Sequence, residues 1–127
     1  MSDNPDLVPG LQAEHPFDVE DQLLTDVGGT LGAPVLSTPG MIAKMERTAA
    51  RLVAPLLPEG KATVGFEVCV KHVASAPAGA RCVARVHLSE VIDGRKLRFH
   101  VEVRSEDGRT IGVGTHERRV VDLRGAS

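Results

Sequence analysis

From Thr38 to Leu57 the apolar residues recur at helical spacing. At about 100° per residue, Met41, Ile42, Met45, Ala49, Leu52, Val53 and Leu56 share one direction, and Lys44, Arg47 and Arg51 point the opposite way. Thr38 can cap this segment, Pro39 fits the first turn and Pro58 follows the end, so the pattern predicts one long amphipathic helix. Glu46 falls at the border of the apolar stripe, where helix and core should meet. After Pro58-Glu59-Gly60 the period drops to two. Val64, Phe66, Val68 and Val70 fall on one side, Glu67 and Lys71 on the other, which predicts a strand over 63–73. Residues 81–92 continue in β-branched style, Asp93-Gly94 signals a tight turn, and Leu97, Phe99, Val101 and Val103 then alternate with charged residues and His100. Asp107-Gly108 repeats the turn signal before a last strand that opens with Ile111, Val113 and Thr115 and runs to about Val121.

Upstream of the helix the pattern is weaker. His15 to Val19 reads as a strand, residues 25–37 as a Gly-rich loop, and residues 1–10 as a frayed start. The predicted architecture is α+β, a long helix wrapped by an antiparallel sheet of about five strands. One helix covers only one face of such a sheet, so the other face or an edge is expected to take a partner. No repeat, low-complexity block or linker divides the chain, and residues 1–127 are read as a single domain.

Composition narrows the functions. A chain of 127 residues, 42% hydrophobic and 25% charged, is long enough to fold without disulfides or metal. Its apolar stretch Leu52–Leu57 is interrupted by Pro55 and falls far short of the roughly 20 residues a membrane helix needs. Five acids and no Lys or Arg in the first twenty residues are the reverse of a leader peptide, so a cytoplasmic location is expected. A net charge of −2, with no Trp or Tyr, speaks against nucleic-acid binding. Residues 1–43 carry seven acids and no base, whereas the remainder carries fifteen Lys and Arg against ten acids. That excess suits a phosphate-bearing ligand as well as a solvated face. Cys69 and Cys82 show neither CxxC spacing nor a companion His for zinc, and both are expected to be buried small hydrophobes.

The familiar short catalytic motifs are missing, so any chemistry must be assembled across elements. Gly112-Val113-Gly114 reads as close backbone approach within a strand. His72 shares parity with Phe66, Val68 and Val70, which turns an imidazole toward the apolar side of the sheet. It is either a core-edge histidine satisfied by backbone or, beside a carboxylate such as Glu46, a proton-transfer group near neutral pH. Thr38 is either the helix cap or a hydroxyl at the positive end of the helix, able to position water or meet a carbonyl. His87 and His100 are expected at the surface, Met41 and Met45 in the core.

Ser37-Thr38-Pro39-Gly40-Met41 through Met45-Glu46, then Gly65, Val70-Lys71-His72-Val73-Ala74-Ser75-Ala76-Pro77, and finally Gly114-Thr115-His116-Glu117-Arg118 resemble the fluoroacetyl-CoA thioesterase family of hotdog-fold proteins across about residues 8–122. In that family a Thr, a Glu eight residues on and a His 26 beyond the Glu form the catalytic set, and Thr38, Glu46 and His72 reproduce those intervals. The resemblance implies a homodimer or dimer of dimers that hydrolyses a small acyl-CoA thioester near the subunit interface. Coenzyme A would be part of the substrate, with no separate cofactor and no metal. It further implies that Gly65 lets the thioester carbonyl approach the backbone and that Arg118 contacts substrate; read without the family, Arg118 is equally a surface charge in the run Arg118-Arg119. The family's namesake guards its pocket with aromatic side chains before the Thr, but residues 18–37 contain no Phe, Tyr or Trp. A gate of Leu31, Val35 and Leu36 would be looser and would admit other short or medium acyl groups. Two other functions compete: an acyl-CoA-binding hotdog module without turnover, and hydratase chemistry, whose aspartate-histidine motif is not evident.

Overall fold

The computed structural model describes residues 7–123. Strand β1 (Gln12–Asp18) leads through a 3-10 turn, Asp21–Leu23, to two short strands, β2 (Leu24–Thr25) and β3 (Val35–Leu36). Helix α1 (Thr38–Val53) follows, continued by a 3-10 turn, Ala54–Leu56, and then by β4 (Lys61–His72), β5 (Arg81–Ile92), β6 (Lys96–Ser105) and β7 (Thr110–Asp122). Five strands form one sheet in the order β1-β5-β6-β7-β4, and every pairing is antiparallel. Along the chain the elements follow the expected order, an N-terminal strand, the long helix and then four antiparallel strands. The frayed start expected over residues 1–10 lies outside the described residues for its first six positions; at its end, Gly10 N donates to Leu88 O.

The helix lies along one face of the sheet. Met41, Met45, Ala49 and Val53 are fully buried there against Leu88, Leu97, Phe99, Val101 and Ile111. Gly112 of β7 allows the close approach, because a side-chain carbon at that position would collide with the Met41 thioether. The opposite face carries charged residues joined by ion pairs: Arg98 bridges Glu90 and Glu117, both at 3.2 Å, and Arg119 meets Glu117 at 2.6 Å. These two arginines, Arg119 foremost, hold the Glu117 carboxyl below its ordinary range.

Three expectations need correction. Ser37, not Thr38, caps α1: its Oγ accepts from Gly40 N at 2.9 Å, which leaves the Thr38 hydroxyl free of that duty. In β4 a bulge between Gly65 and Glu67 shifts the pairing with β7 from Arg118 to Glu117 while two residues of β4 pass. Uninterrupted alternation is broken there, and a one-residue slip exchanges faces. Val64 and Phe66 are thus exposed at 48% and 58%, whereas Val68, Val70 and His72 keep the helix-facing side. Finally, Cys82 is buried as expected but Cys69 is exposed, because β4 is an edge strand.

Candidate active site

Thr38 opens the helix, and the preceding segment fixes its position. Leu36 N donates to Ala76 O at 2.8 Å, Ser37 N donates to Leu23 O at 2.7 Å, and Val35 bridges Pro77. The chain entering α1 is therefore tied to the chain leaving β4. On the other side, Val73 N donates to Ile111 O at 2.8 Å and anchors the end of β4 just beyond His72. The result is a hydrogen bond between Thr38 Oγ1 and His72 Nδ1 at 2.8 Å, across 34 residues of sequence. His72 Nε2 is buried and has no partner among the described residues. A ring held through Nδ1 with Nε2 unengaged is arranged for proton exchange at Nε2.

Glu46 lies elsewhere. A methyl group on Gly65 would sit 2.8 Å from Glu46 Oε2 and 3.7 Å from both Arg118 Nη1 and His116 Cε1, so the missing side chain leaves a small space bounded by these three groups. Arg118 is 8% exposed and His116 2%. The surface reading of Arg118 is excluded: its Nε donates to Thr63 Oγ1 at 2.9 Å, its Nη2 to Thr63 O at 3.0 Å, and its Nη1 faces His116 Nε2 at 3.3 Å. His116 Nδ1 in turn meets Glu67 O at 2.8 Å. A carbonyl can only accept, so Nδ1 carries the proton and Nε2 is the acceptor for Arg118. Burial pushes His116 below its ordinary value, with the Arg118 charge acting the same way and the Glu67 carbonyl and Glu46 opposing. Burial also lowers Arg118, opposed by Glu46.

Within one chain the carboxylate and the expected imidazole are not paired: Glu46 borders the same small space as His116, with no hydrogen bond or ion pair between those two among the described residues. Glu46 has His116 beside it, while His72 is paired with Thr38. Within one chain the two clusters are separated, since eight helical residues from Thr38 to Glu46 rise about 12 Å. His116 escaped sequence reasoning because it stands inside Gly114-Thr115-His116-Glu117-Arg118, where strand alternation splits the motif between faces. His116 and Arg118 point to the helix side, and Glu117 points to the ion-paired outer face. Parity with Arg118 was the signal that could have found it. Of the expected gate, Leu31 is 41% exposed, Val35 is half-buried and Leu36 is a core residue at 1% exposure, so Leu36 cannot swing as a gate. His87 and His100 lie at the surface with ring centroids 6.2 Å apart. Among the described residues, no group of three or more His, Cys, Asp and Glu is placed to hold a metal ion, and no helix is long and apolar enough to cross a membrane.

The sequence model of a family described as fluoroacetyl-CoA-specific thioesterase matches residues 19–124. Fluoroacetyl-CoA thioesterase of Streptantibioticus cattleyicolor is 38% identical over 90 residues, which span 70% of this chain and 63% of that protein, just under two thirds of its length. A solved structure of a fluoroacetyl-CoA thioesterase superposes with a TM-score of 0.83 at 28% identity, covering 93% of this chain and 90% of the other. A thioesterase-superfamily protein of Thermus thermophilus gives a TM-score of 0.86 at 25% identity, covering 96% and 89%.

Proposed function

Because the chain belongs to the fluoroacetyl-CoA-specific thioesterase family and has its hotdog fold, we propose that it hydrolyses a small acyl-CoA thioester to the free acid and coenzyme A. Thr38, Glu46 and His72 are the reacting set. The observation that carries this reading is the Thr38 Oγ1 to His72 Nδ1 hydrogen bond, made possible by Ser37 taking over the capping role. A threonine free of structural duty, joined to an imidazole whose other nitrogen is unengaged, is arranged for chemistry.

Each group has a task. Glu46 either draws a proton from the attacking water or attacks the thioester carbonyl itself to give an acyl–Glu46 anhydride that water then cleaves to the free acid, and both routes place its Oε2 over the space left by Gly65. As the tetrahedral centre collapses, the leaving thiolate takes a proton from His72. Thr38 holds the imidazole or the reacting oxygen in line. The carbonyl oxygen needs donors where its charge develops, and the Gly65 backbone can approach closely enough to supply one. The Arg118 guanidinium adds positive potential beside Glu46 and contacts the substrate.

The separation of the clusters favours a site shared by two copies. Strand β4 is a twelve-residue edge without the prolines that blunt edges, whereas β1, the opposite edge, contains Pro16. Antiparallel pairing of two β4 edges about Cys69, with Val68 of one copy beside the partner's Val70, sets Gly65 opposite the partner's His72 once the extra residue of the bulge is counted. Glu46 would then meet the partner's His72 in each of two equivalent sites.

Residues 18–37 contain no aromatic side chain to narrow the pocket, so the acyl preference extends beyond fluoroacetyl to other short or medium groups. Thiol release from acetyl- through hexanoyl-, fluoroacetyl- and an aromatic acyl-CoA tests this, with the Glu46→Gln protein run in parallel. Turnover that disappears in the variant is expected. Strict selectivity for fluoroacetyl-CoA would overturn the acyl assignment, and CoA-ester binding without turnover would replace the enzyme by a binding module.

A further inference from the structure

We propose that His116 is a positioning residue that aims the Arg118 guanidinium at the Glu46 carboxylate. The inference rests on the hydrolase reading of Glu46 and adds a residue to it. Arg118 is a buried cation with no carboxylate within ion-pair distance among the described residues. An arginine in that condition is costly to keep unless its donors are satisfied and its charge is used. Two of its nitrogens are spent on Thr63, at Oγ1 and at the backbone carbonyl. The third, Nη1, is the one that borders the space over Gly65, where Glu46 Oε2 also lies. Among the described residues its hydrogen-bond partner there is His116 Nε2, at 3.3 Å.

The direction of that bond is set one step further back. Glu67 O, at the β4 bulge, accepts from His116 Nδ1 at 2.8 Å and so selects the tautomer with a free lone pair on Nε2. Phe99 stacks on the ring, with centroids 6.0 Å apart, and fixes its plane. The chain of contacts runs from the bulge carbonyl through a neutral imidazole to the guanidinium edge beside Glu46. A protonated or rotated imidazole would have no acceptor for Nη1, and the guanidinium would lose its fixed aim.

The amide side chains separate this role from simple packing. Glutamine at 116 can offer its amide oxygen to Arg118, where Nε2 stands; asparagine can reach only Glu67 O, in place of Nδ1. His116→Asn is expected to lower kcat for thiol release by about ten- to a hundredfold with KM little changed, the scale of a 1 Å misplacement in an active site. His116→Gln should recover about tenfold of that loss, at an equal or lower melting temperature than the asparagine protein. Equal activity in both variants, or a loss that follows melting temperature, would overturn the assignment. Glu46→Gln is measured beside them. If it retains full turnover, the hydrolase reading itself fails; if it loses turnover while both His116 variants keep theirs, only the positioning role falls.

Discussion

Ser37 and Thr38 are adjacent hydroxyl residues at one helix start, yet they have different duties. Ser37 Oγ takes the Gly40 amide and Thr38 Oγ1 takes His72. Ser37→Ala should therefore cost about 1 kcal/mol of stability, as loss of a cap does, and thermal unfolding measures it. Thr38→Ala should leave the melting temperature within a degree or two and lower thiol release by roughly 10² or more, because it removes a group from the chemistry and not from the fold. A comparable fall in melting temperature would return Thr38 to a structural role. Gly65→Ala places a carbon 2.8 Å from Glu46 Oε2, so the carboxylate must move. Turnover should drop at least tenfold with the fold kept. His116 also links stability to pH. Burial lowers its pKa in the folded chain, and the unfolded chain thus binds the proton more readily. The sign follows: stability is fully present above about pH 6.5 and is lost as the pH falls below it. His15, lowered by burial and then by Lys44, Arg51 and Arg47, acts in the same direction. Melting curves between pH 7.5 and pH 5 should show the decline, and His116→Gln should flatten it.

At the scale of elements, the bulge in β4 is the feature that joins fold to site. It lets Gly65 face Glu46 and His72 face Thr38 from one strand, although the two positions are seven residues apart and strict alternation would send them to opposite faces. It also presents the Glu67 carbonyl to His116 and turns Phe66 outward under Arg119, whose guanidinium carbon lies 3.6 Å from the ring centroid. Periodicity placed the strand correctly because most of its side chains do alternate. It could not place the bulge, which is a property of the pairing with β7 and leaves no mark in one strand's sequence. Helix α1 begins at the expected Thr38 because its buried stripe, Met41, Met45, Ala49 and Val53, is wide and uninterrupted, but it ends at Val53 instead of Leu57, the last turn being the 3-10 turn Ala54–Leu56 that contains Pro55. Strand β3 and the second residue of β2 fall inside the stretch 25–37 whose sequence reads as loop, because two-residue strands are too short to show a period.

At the scale of the whole molecule, the proposed shared site has a consequence that a site within one chain does not have. Glu46→Gln and His72→Ala homodimers should each be inactive. Mixed and allowed to exchange subunits, they form heterodimers in which one site carries both substitutions and the other carries neither. Activity should then return to roughly a quarter of the parent level, as an isologous interface requires. No recovery after exchange, with heterodimers demonstrated by mass, would place Glu46 and His72 in the same chain's site.

The order of helix and strands, the amphipathic stripe and the residue intervals Thr38–Glu46–His72 were all set by the sequence, since each rests on local periodicity or on spacing along the chain. Which hydroxyl caps the helix, which histidine stands beside Glu46, and whether Arg118 is solvated or buried were decided only by the tertiary structure. Those outcomes depend on hydrogen bonds and burial between residues tens of positions apart. A shift of one residue in strand pairing exchanges the faces, and the sequence of a single strand does not encode the register of its neighbour.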